Sequence, residues 1–390
     1  MKVKLSDVVE FKNGINFSKT DKGNFIKCIG VGDFGGIRIV DNFDDTNLIC
    51  VDKVKSEEYF LKDNDIIFVR SNGNKELVGR SMIVFPKNEN VVCSGFCIRM
   101  RITTSKLLPL YLYFLMNSPT YKLQFAKTQQ TNINNLNQTI LGDLVIDIPS
   151  IDTQRRIISA LMVINRKIDN NNRINDNLHQ QLDIMYDYWF TQFDFPDKNG
   201  VSYKSSGNKM IFNPLLKQEI PISWTVKPVK ELLNVVTGKE DANFSLKTGK
   251  YKFFTCSKDT LLCDEYAFDG NAILIAGNGD FNVKHYTGKF NAYQRTYVLI
   301  PKDNKYYCLI YLAANRLISH FKNGSNGSIV KFITKDDVEN ILVAVPDDDI
   351  YYEILNRILI TIEVNENENS ELEKIQDWLL PMLMNGQVSI

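Results

Sequence analysis

The sequence predicts an α+β protein. It consists of two mixed α/β units in a pseudo-two-fold arrangement, separated by two long antiparallel coiled-coil helices. Two observations support this fold class. Three segments recur in the same order in both halves of the 390-residue chain, and after each half a long run of apolar residues follows with alternating four- and three-residue spacing. The composition, 44% hydrophobic and 24% charged, is ordinary for a globular protein.

The internal repeat consists of three pairs of segments. They are a short amphipathic turn leading to a glycine, a buried strand running into a polar loop with glycine, and an apolar strand closed by proline. The pairs are Leu5–Gly14 with Val229–Gly238, Asp65–Gly73 with Asn271–Gly279, and Gly142–Pro149 with Glu339–Pro346. Brief helical stretches, Pro109–Asn117 and Tyr306–Phe321 among them, alternate with strand-like runs, so each unit is predicted to hold a mixed sheet.

The run after the first unit predicts a helix with one apolar seam. Its members are Ile157, Leu161, Ile164, Ile168, Leu178, Leu182, Met185 and Trp189, with Asn171 and Asn175 in the two remaining positions. Such sustained spacing is typical of a helix that packs lengthwise on another helix.

The second run repeats this pattern. Its seam holds Tyr351, Leu355, Ile358, Ile362, then Asn365 and Asn369, then Leu372, Ile375, Leu379 and Leu383. The seam is predicted to shift by about one position near its end, because Gln376 falls where an apolar residue is expected. Paired asparagines cost stability but fix register. The simplest partner of each helix is the other one, antiparallel to it.

The predicted organisation has five parts. The units cover 1–149 and 225–346, the helices cover 150–193 and 347–390, and a connector covers 194–224. Prolines and glycines punctuate the connector, which is therefore predicted to be an ordered loop rather than domain core.

Composition excludes several classes of function. No apolar run reaches the ~20 residues of a bilayer span, and the N-terminus lacks the apolar region of a signal peptide. A cytoplasmic protein without a membrane partner is expected. The seven cysteines form no CxxC and are predicted to be reduced, buried thiols. Since His179, His285 and His320 are far apart in the sequence, no metal site and no cofactor is predicted.

Charge is unevenly distributed along the chain. Residues 1–150 carry +3 and 225–346 carry +4, whereas 347–390 carry −8. This asymmetry suits units that face a polyanion and a helix that faces something else, although a merely solvated acidic helix fits the charge equally well.

Catalytic motifs are missing from the sequence. Neither a GxxxxGK[ST] phosphate loop nor the [ND]PPY of amino-methyltransferases occurs, and the glycines of Val31–Gly36 lack the order of a cofactor loop. Pro196-Asp197 lies too far from Asp303–Lys305 to form a nuclease motif. A protein without catalytic activity is therefore expected.

Polar loops at matching places in both halves suggest DNA binding. Arginine and lysine can bond guanine, asparagine and glutamine can bond adenine, and glycine lets the backbone approach phosphate. Ordinary surface loops are the alternative for any single residue. The candidates in the first unit are Lys12, Asn13, Arg70, Asn72, Asn74, Lys75, Arg80, Lys127, Gln129, Gln130, Asn132 and Asn134. Those in the second are Lys239, Asn278, Asn282, Lys284, His285, Arg295, Asn323, Ser325, Asn326 and Lys331.

The chain resembles the specificity (S) subunits of type I restriction–modification systems. The resemblance rests on Phe195-Pro196, Tyr203–Gly207, Lys209-Met210 and Ile220–Trp224, on both proline-plus-helix segments, and on Leu379–Gly386. Ser223 stands where the family usually has glycine. The resemblance covers essentially the whole chain and is weakest in the two units.

The resemblance implies a role without catalysis. Each unit would be a target-recognition domain that reads one half of a bipartite, asymmetric site in double-stranded DNA. The helices would set the spacer and dock two modification (methyltransferase) subunits, and restriction (motor–nuclease) subunits would join them. S-adenosylmethionine, ATP and Mg would belong to these partners. Two alternatives are a two-headed adaptor for a non-DNA ligand and an enzyme with a fused catalytic domain, for which the chain has no room.

Overall fold

The computed structural model describes residues 1–18, 23–35, 38–51, 57–73, 77–128, 136–197, 200–279, 281–323, 332–384 and 386–388. The chain divides into two compact units, which are described separately. Unit 1 comprises Met1–Asp169 and Asn369–Ile390, and unit 2 comprises Asn170–Glu368. No helix of the described residues is long and apolar enough to cross a membrane.

Unit 1 combines three sheets with short helices. Its strands are β1 (Lys2–Lys4), β2 (Val9–Asn13), β3 (Asn24–Ile29), β4 (Arg38–Val40), β5 (Leu48–Val51), β6 (Asp65–Val69), β7 (Ser81–Val84), β8 (Val91–Cys93), β9 (Cys97–Ile102) and β10 (Val145–Asp147). Its short helices are α1 (Pro109–Asn117), α2 (Pro119–Thr128) and α3 (Gln138–Gly142). The sheets have the orders β2-β9-β6-β7-β4, β5-β3-β8 and β1-β10.

Helix α4 (Ile151–Tyr186) starts in unit 1, and helix α8 (Ile350–Met384) ends there. Helix α1 covers one face of the five-stranded sheet because nearly all of its side chains are apolar and buried. Ile157 and Leu161 of α4 share this core with Leu380 and Leu383 of α8. Both long helices therefore contribute to the core of unit 1.

Unit 2 has a larger central sheet. Its strands are β11 (Met210–Asn213), β12 (Gln218–Pro221), β13 (Thr225–Pro228), β14 (Leu233–Thr237), β15 (Tyr251–Phe254), β16 (Leu261–Cys263), β17 (Phe268–Ala276), β18 (Val283–Ala292), β19 (Thr296–Pro301) and β20 (Leu342–Val345). Its short helices are α5 (Val229–Leu232), α6 (Tyr307–Asn323) and α7 (Lys335–Glu339). The sheets have the orders β14-β19-β17-β18-β15-β16, β13-β20 and β11-β12.

The repeated segments adopt equivalent structures in the two units. The first segment of each pair forms a short helical turn followed by β2 or β14, and the second forms β6 or β17. The third ends in β10 or β20, which pairs antiparallel with β1 or β13. The predicted α+β class and the internal repeat are therefore confirmed.

The predicted helix pairing also holds within unit 2. Leu182 of α4 and Leu355 and Ile362 of α8 are buried in one core. Nδ2 of Asn365 donates to Oδ1 of Asn175 over 2.7 Å, and Nδ2 of Asn175 donates to the carbonyl oxygen of Ile362 over 3.2 Å. The seam asparagines thus satisfy one another and the backbone, which holds the two helices in one register.

The predicted shift at the end of the second seam was wrong. Ile375 is 48% exposed and Gln376 only 4% exposed, so the four-and-three spacing continues unbroken from Leu372 through Gln376 to Leu379 and Leu383. The Nε2 atom of Gln376 finds no hydrogen-bond partner among the described residues. A polar side chain therefore occupies an apolar seam position.

The description of the connector as loop rather than core was also wrong. Residues Met210–Pro221 form a hairpin, and Phe195 and Trp224 are buried in the core of unit 2. Their rings stack with centroids 4.6 Å apart, and Tyr351 of α8 packs edge-on against Phe195 at 5.0 Å. Buried aromatic side chains anchor the connector in this core. The prolines and glycines of the connector favoured the prediction of a loop, because composition does not show which aromatic residues are buried.

Candidate nucleic-acid interface

Two glycines mark the same place in both units. The backbone N–H of Gly14 donates to the carbonyl oxygen of Cys97 over 3.0 Å, and Gly238 donates to Thr296 over 3.0 Å. A Cβ atom at Gly14 would lie 2.1 Å from a backbone oxygen of Ser94, and one at Gly238 would lie 2.0 Å from a backbone oxygen. Only glycine therefore fits where β2 and β14 leave their sheets.

The polar loops after β6 and β17 are held in an equivalent way. The backbone N–H of Arg70 donates to the carbonyl oxygen of Phe96 over 2.7 Å, and Gly277 donates to Arg295 over 3.0 Å. These acceptors directly precede β9 and β19. The loop and the turn therefore lie side by side at one end of each central sheet.

A third segment joins each pair of loops. Leu136 donates its backbone N–H to the carbonyl oxygen of Arg70 over 2.9 Å, and Ile333 donates to Gly277 over 2.8 Å. We use the name strand-end loops for the residues gathered by these bonds. They are 13–15, 70–73, 94–96 and 136–138 in unit 1, and 237–240, 277–279, 293–295 and 332–333 in unit 2.

Several residues predicted to bind DNA lie at or beside the strand-end loops of unit 1. Asn13 accepts a hydrogen bond from Nε2 of Gln138 over 3.1 Å, and Asn72 is half-buried. The side chain of Arg80 is exposed, and its carbonyl oxygen accepts a hydrogen bond from the backbone N–H of Val69. Lys12 has a different setting. Its Nζ binds Glu58 Oε2 at 3.2 Å and lies 4.4 Å from the Tyr59 ring centroid, so its charge is already compensated.

Unit 2 also brings several of its predicted residues to this end of the sheet. Lys239 and Arg295 are exposed there. Asn278 forms an isolated bridge with Phe332, and Asn282 donates from Nδ2 to the carbonyl oxygen of Cys256 over 2.9 Å. An arginine in such a loop can form paired hydrogen bonds to guanine, or an ion pair with phosphate.

Lys284 and His285 point into unit 2 instead. Nζ of Lys284 donates to the carbonyl oxygens of Ser257 at 2.5 Å and Thr255 at 3.5 Å, and burial lowers its pKa. The ring of His285 is buried, with Nδ1 3.0 Å from Oε1 of Glu363 on α8. Both residues lie near the start of β18, and the alternation of a strand sends their side chains to opposite faces. The Lys284 side chain is partly buried.

The remaining predicted residues lie outside the described part of the chain. The structure describes the backbone of Lys127 and Asn323 but not their side chains. It does not describe the other residues of this group, which are Asn74, Lys75, Gln129, Gln130, Asn132, Asn134, Ser325, Asn326 and Lys331. The described residues Leu136 and Phe332 each follow one of these polar stretches directly.

Two aromatic residues of the strand-end loops were not predicted from the sequence. Phe96 and Phe332 are each 62% exposed. Phe96 occupies in unit 1 the place that Arg295 occupies in unit 2. Alignment of the turns before β9 and β19 would have revealed it. In the major groove of duplex DNA an exposed aromatic ring can make apolar contact with the methyl group of thymine.

A sequence profile and individual relatives assign the chain to the same family. The sequence profile described as "Type I restriction modification DNA specificity domain" matches residues 1–180 and 221–374. The specificity subunit of the type I restriction enzyme EcoDI from Escherichia coli is 36% identical over 178 residues, which are 44% of this chain and only 40% of that protein. The MjaIX specificity subunit from Methanocaldococcus jannaschii is 22% identical over 337 residues, 79% of this chain and 75% of its own.

A solved structure agrees in fold. The crystal structure of the type I restriction–modification S subunit from M. genitalium superposes with a TM-score of 0.53 at 17% identity, covering 98% of this chain and 95% of that one. The two matched regions of the profile, each with one repeat of the fold, account for most of the sequence. The chain belongs to the family of type I restriction–modification specificity subunits, and it carries two target-recognition domains.

Proposed function

We propose that each unit binds duplex DNA through its strand-end loops and reads one half of a bipartite, asymmetric site. The observation that carries this proposal is the repeated set of backbone hydrogen bonds, which presents different side chains in the two units. Unit 1 presents Arg70 and Phe96 where unit 2 presents Gly277 and Arg295. One frame with two sets of side chains suits two different half-sites, because base identity is read by side chains while the frame positions them.

The long helices would serve the rest of the complex. Helix α4 runs without a break from unit 1 into unit 2, and we propose that the helices fix the distance between the half-sites along the DNA. Their outward faces carry large apolar side chains, a feature that marks protein interaction sites. The exposed ones are Val163, Ile375 and Trp378 in unit 1, and Ile174, Ile184, Ile360 and Val364 in unit 2.

On this view the chain performs no chemistry itself. Two modification subunits would dock on the helices and methylate adenine with S-adenosylmethionine, and motor–nuclease subunits that use ATP and Mg would join for restriction, in the cytoplasm. The strand-end loops support this assignment, since the side chains described there offer hydrogen bonds and apolar contacts for duplex DNA.

Exchange of residues 1–149 for the first unit of another family member tests the proposal. Methylated adenines would be mapped in a host that carries the chimaera and its modification subunits. Only one half of the recognised sequence should change. A change in both halves would exclude one reader per unit, and binding to duplex DNA without a steep salt dependence would favour an adaptor for another ligand.

A further inference from the structure

Two histidines far apart in the sequence meet inside unit 2. His179 lies on α4 and His285 on β18, and their ring centroids are 6.2 Å apart. Glu366 of α8 completes the group. One potential ligand atom from each of the three residues lies within 4.8 Å of the others. Since each side chain comes from a different element, this cluster depends on the packing of the sheet against both helices.

A hydrogen bond already orients one of the rings. Nδ1 of His285 lies 3.0 Å from Oε1 of Glu363, which also accepts from the hydroxyl of Tyr307 at 2.6 Å. The carboxylate can therefore hold the Nδ1–H of His285, which leaves Nε2 with its lone pair. Metal-bound histidines almost always have such a partner.

We propose that His179, His285 and Glu366 bind one divalent transition-metal ion, zinc by preference, with Glu363 as the positioning residue for His285. Two imidazoles and a carboxylate are a ligand set that zinc accepts, with one position left for water or a further ligand. Asp183 lies one helical turn from His179 and lines the same cleft. Bonds of about 2.0–2.2 Å place tetrahedral ligand atoms roughly 3.4 Å apart. The three ligand atoms of the cluster lie within 4.8 Å of one another, and rotation of the exposed Glu366 side chain can shorten its distances to the two histidines.

The ion would have a structural role that is separate from DNA recognition. It would cross-link α4, α8 and the central sheet of unit 2, beside a cleft lined by Leu182, Tyr311 and Arg316. An ion that binds only the folded state raises the unfolding temperature.

The test uses the full chain without a histidine tag. The protein is stripped with chelator and titrated with zinc by calorimetry, and its unfolding temperature is measured with and without zinc. One equivalent should bind, with a rise of several degrees. His179→Ala and Glu366→Gln should each weaken binding at least tenfold, and Glu363→Gln about 10–100-fold. The matched control is His320→Ala, because His320 is exposed and lies outside the cluster.

Glu366→Gln keeps the test decisive if His179→Ala disturbs folding, because Glu366 is exposed and its replacement is isosteric. Cobalt provides a second readout. Binding to the cluster gives visible d–d absorption without a thiolate charge-transfer band. The proposal is overturned if the parent chain binds no zinc, if both variants bind it as the parent does, or if a thiolate band assigns the metal to the chain's cysteines.

Discussion

The backbone N–H of Arg70 donates to the carbonyl oxygen of Phe96 over 2.7 Å, which fixes a cationic residue beside an exposed aromatic one. In unit 2 the equivalent bond runs from the N–H of Gly277 to the carbonyl oxygen of Arg295 over 3.0 Å. The arginine is therefore the donor of this bond in unit 1 and the acceptor in unit 2. Each unit thus offers one arginine from a homologous pair of positions. The two arginines are the natural first targets for mutation.

Arg70→Ala and Arg295→Ala should each weaken binding to the recognised duplex by about 1–3 kcal/mol, roughly five- to 150-fold. Each variant should relax the base preference in one half-site only. Binding is measured with duplexes substituted in either half, at several salt concentrations. Arg166→Ala, an exposed change on α4, is the control. Equal losses for both half-sites from either variant would contradict the assignment of one reader to each unit.

Lys284→Met should leave DNA affinity within about twofold of the parent, because Nζ already bonds two carbonyl oxygens inside unit 2. Burial lowers its folded-state pKa from 10.5, so the buried charge costs stability at lower pH. This cost disappears as the pH rises from the folded pKa towards 10.5. The free energy of unfolding of the parent should therefore rise relative to that of Lys284→Met across this window. A large loss of DNA affinity would place Lys284 in the interface after all.

Gln376→Met should stabilise unit 1 by about 1 kcal/mol, because it removes a buried nitrogen that has no partner among the described residues and keeps the side-chain volume. Gln154 is the matched control. It is also buried, but it accepts from the Leu108 N–H at 2.8 Å and donates to the carbonyl oxygens of Lys106 and Pro149. Gln154→Met should cost at least about 2 kcal/mol. Urea denaturation measures both, and a loss of stability in Gln376→Met would show that this side chain has a partner in solution.

Trp378→Ala should weaken assembly with the modification subunits at least tenfold, since Trp378 is 60% exposed on α8 and aromatic residues dominate interface energies. DNA binding by the isolated chain should not change. Co-purification or analytical ultracentrifugation measures assembly. Glu371→Ala, an exposed polar change on the same helix, is the control. Unaltered assembly would remove this face of α8 from the docking surface.

Insertion of one heptad into each long helix, after Asp169 in α4 and after Glu368 in α8, should lengthen the unread spacer and leave both half-sites intact. These are the positions at which the chain passes between the two units, and seven residues preserve the seam. Methylation mapping gives the new spacer. The same spacer in parent and insertion variant would refute the helices as the measure of half-site separation.

Much of the fold could be predicted from the sequence because its signals are local. Gly14 and Gly238 recur where a Cβ would strike the backbone, and the seam asparagines recur where they bond across the helix pair. The predicted register of the second seam was wrong at Gln376. The apolar pattern placed this polar residue outside the seam, whereas helix packing buries it there.

Side-chain direction was much harder to predict. His285 was predicted to bind DNA from a polar loop, yet β18 directs its ring towards α8. Its neighbour His179 is more than a hundred positions away in the sequence, and their proximity depends on tertiary packing that no spacing rule encodes. The exposure of Phe96 could not be predicted, because the surrounding fold decides whether an apolar residue at a turn is exposed, and hydrophobicity alone suggests burial.

The bonds that assemble the strand-end loops join main-chain N–H and carbonyl groups, and every residue except proline supplies both. Mutations at Arg70, Phe96 or Arg295 therefore leave the scaffold's own bonds intact. Substitutions at these positions can therefore change DNA specificity without disturbing the fold, whereas the neighbouring Gly14 and Gly238 tolerate almost no substitution. A population of cells under changing attack by foreign DNA would gain most from a protein divided in this way, with a few positions open to variation on a support held by main-chain bonds.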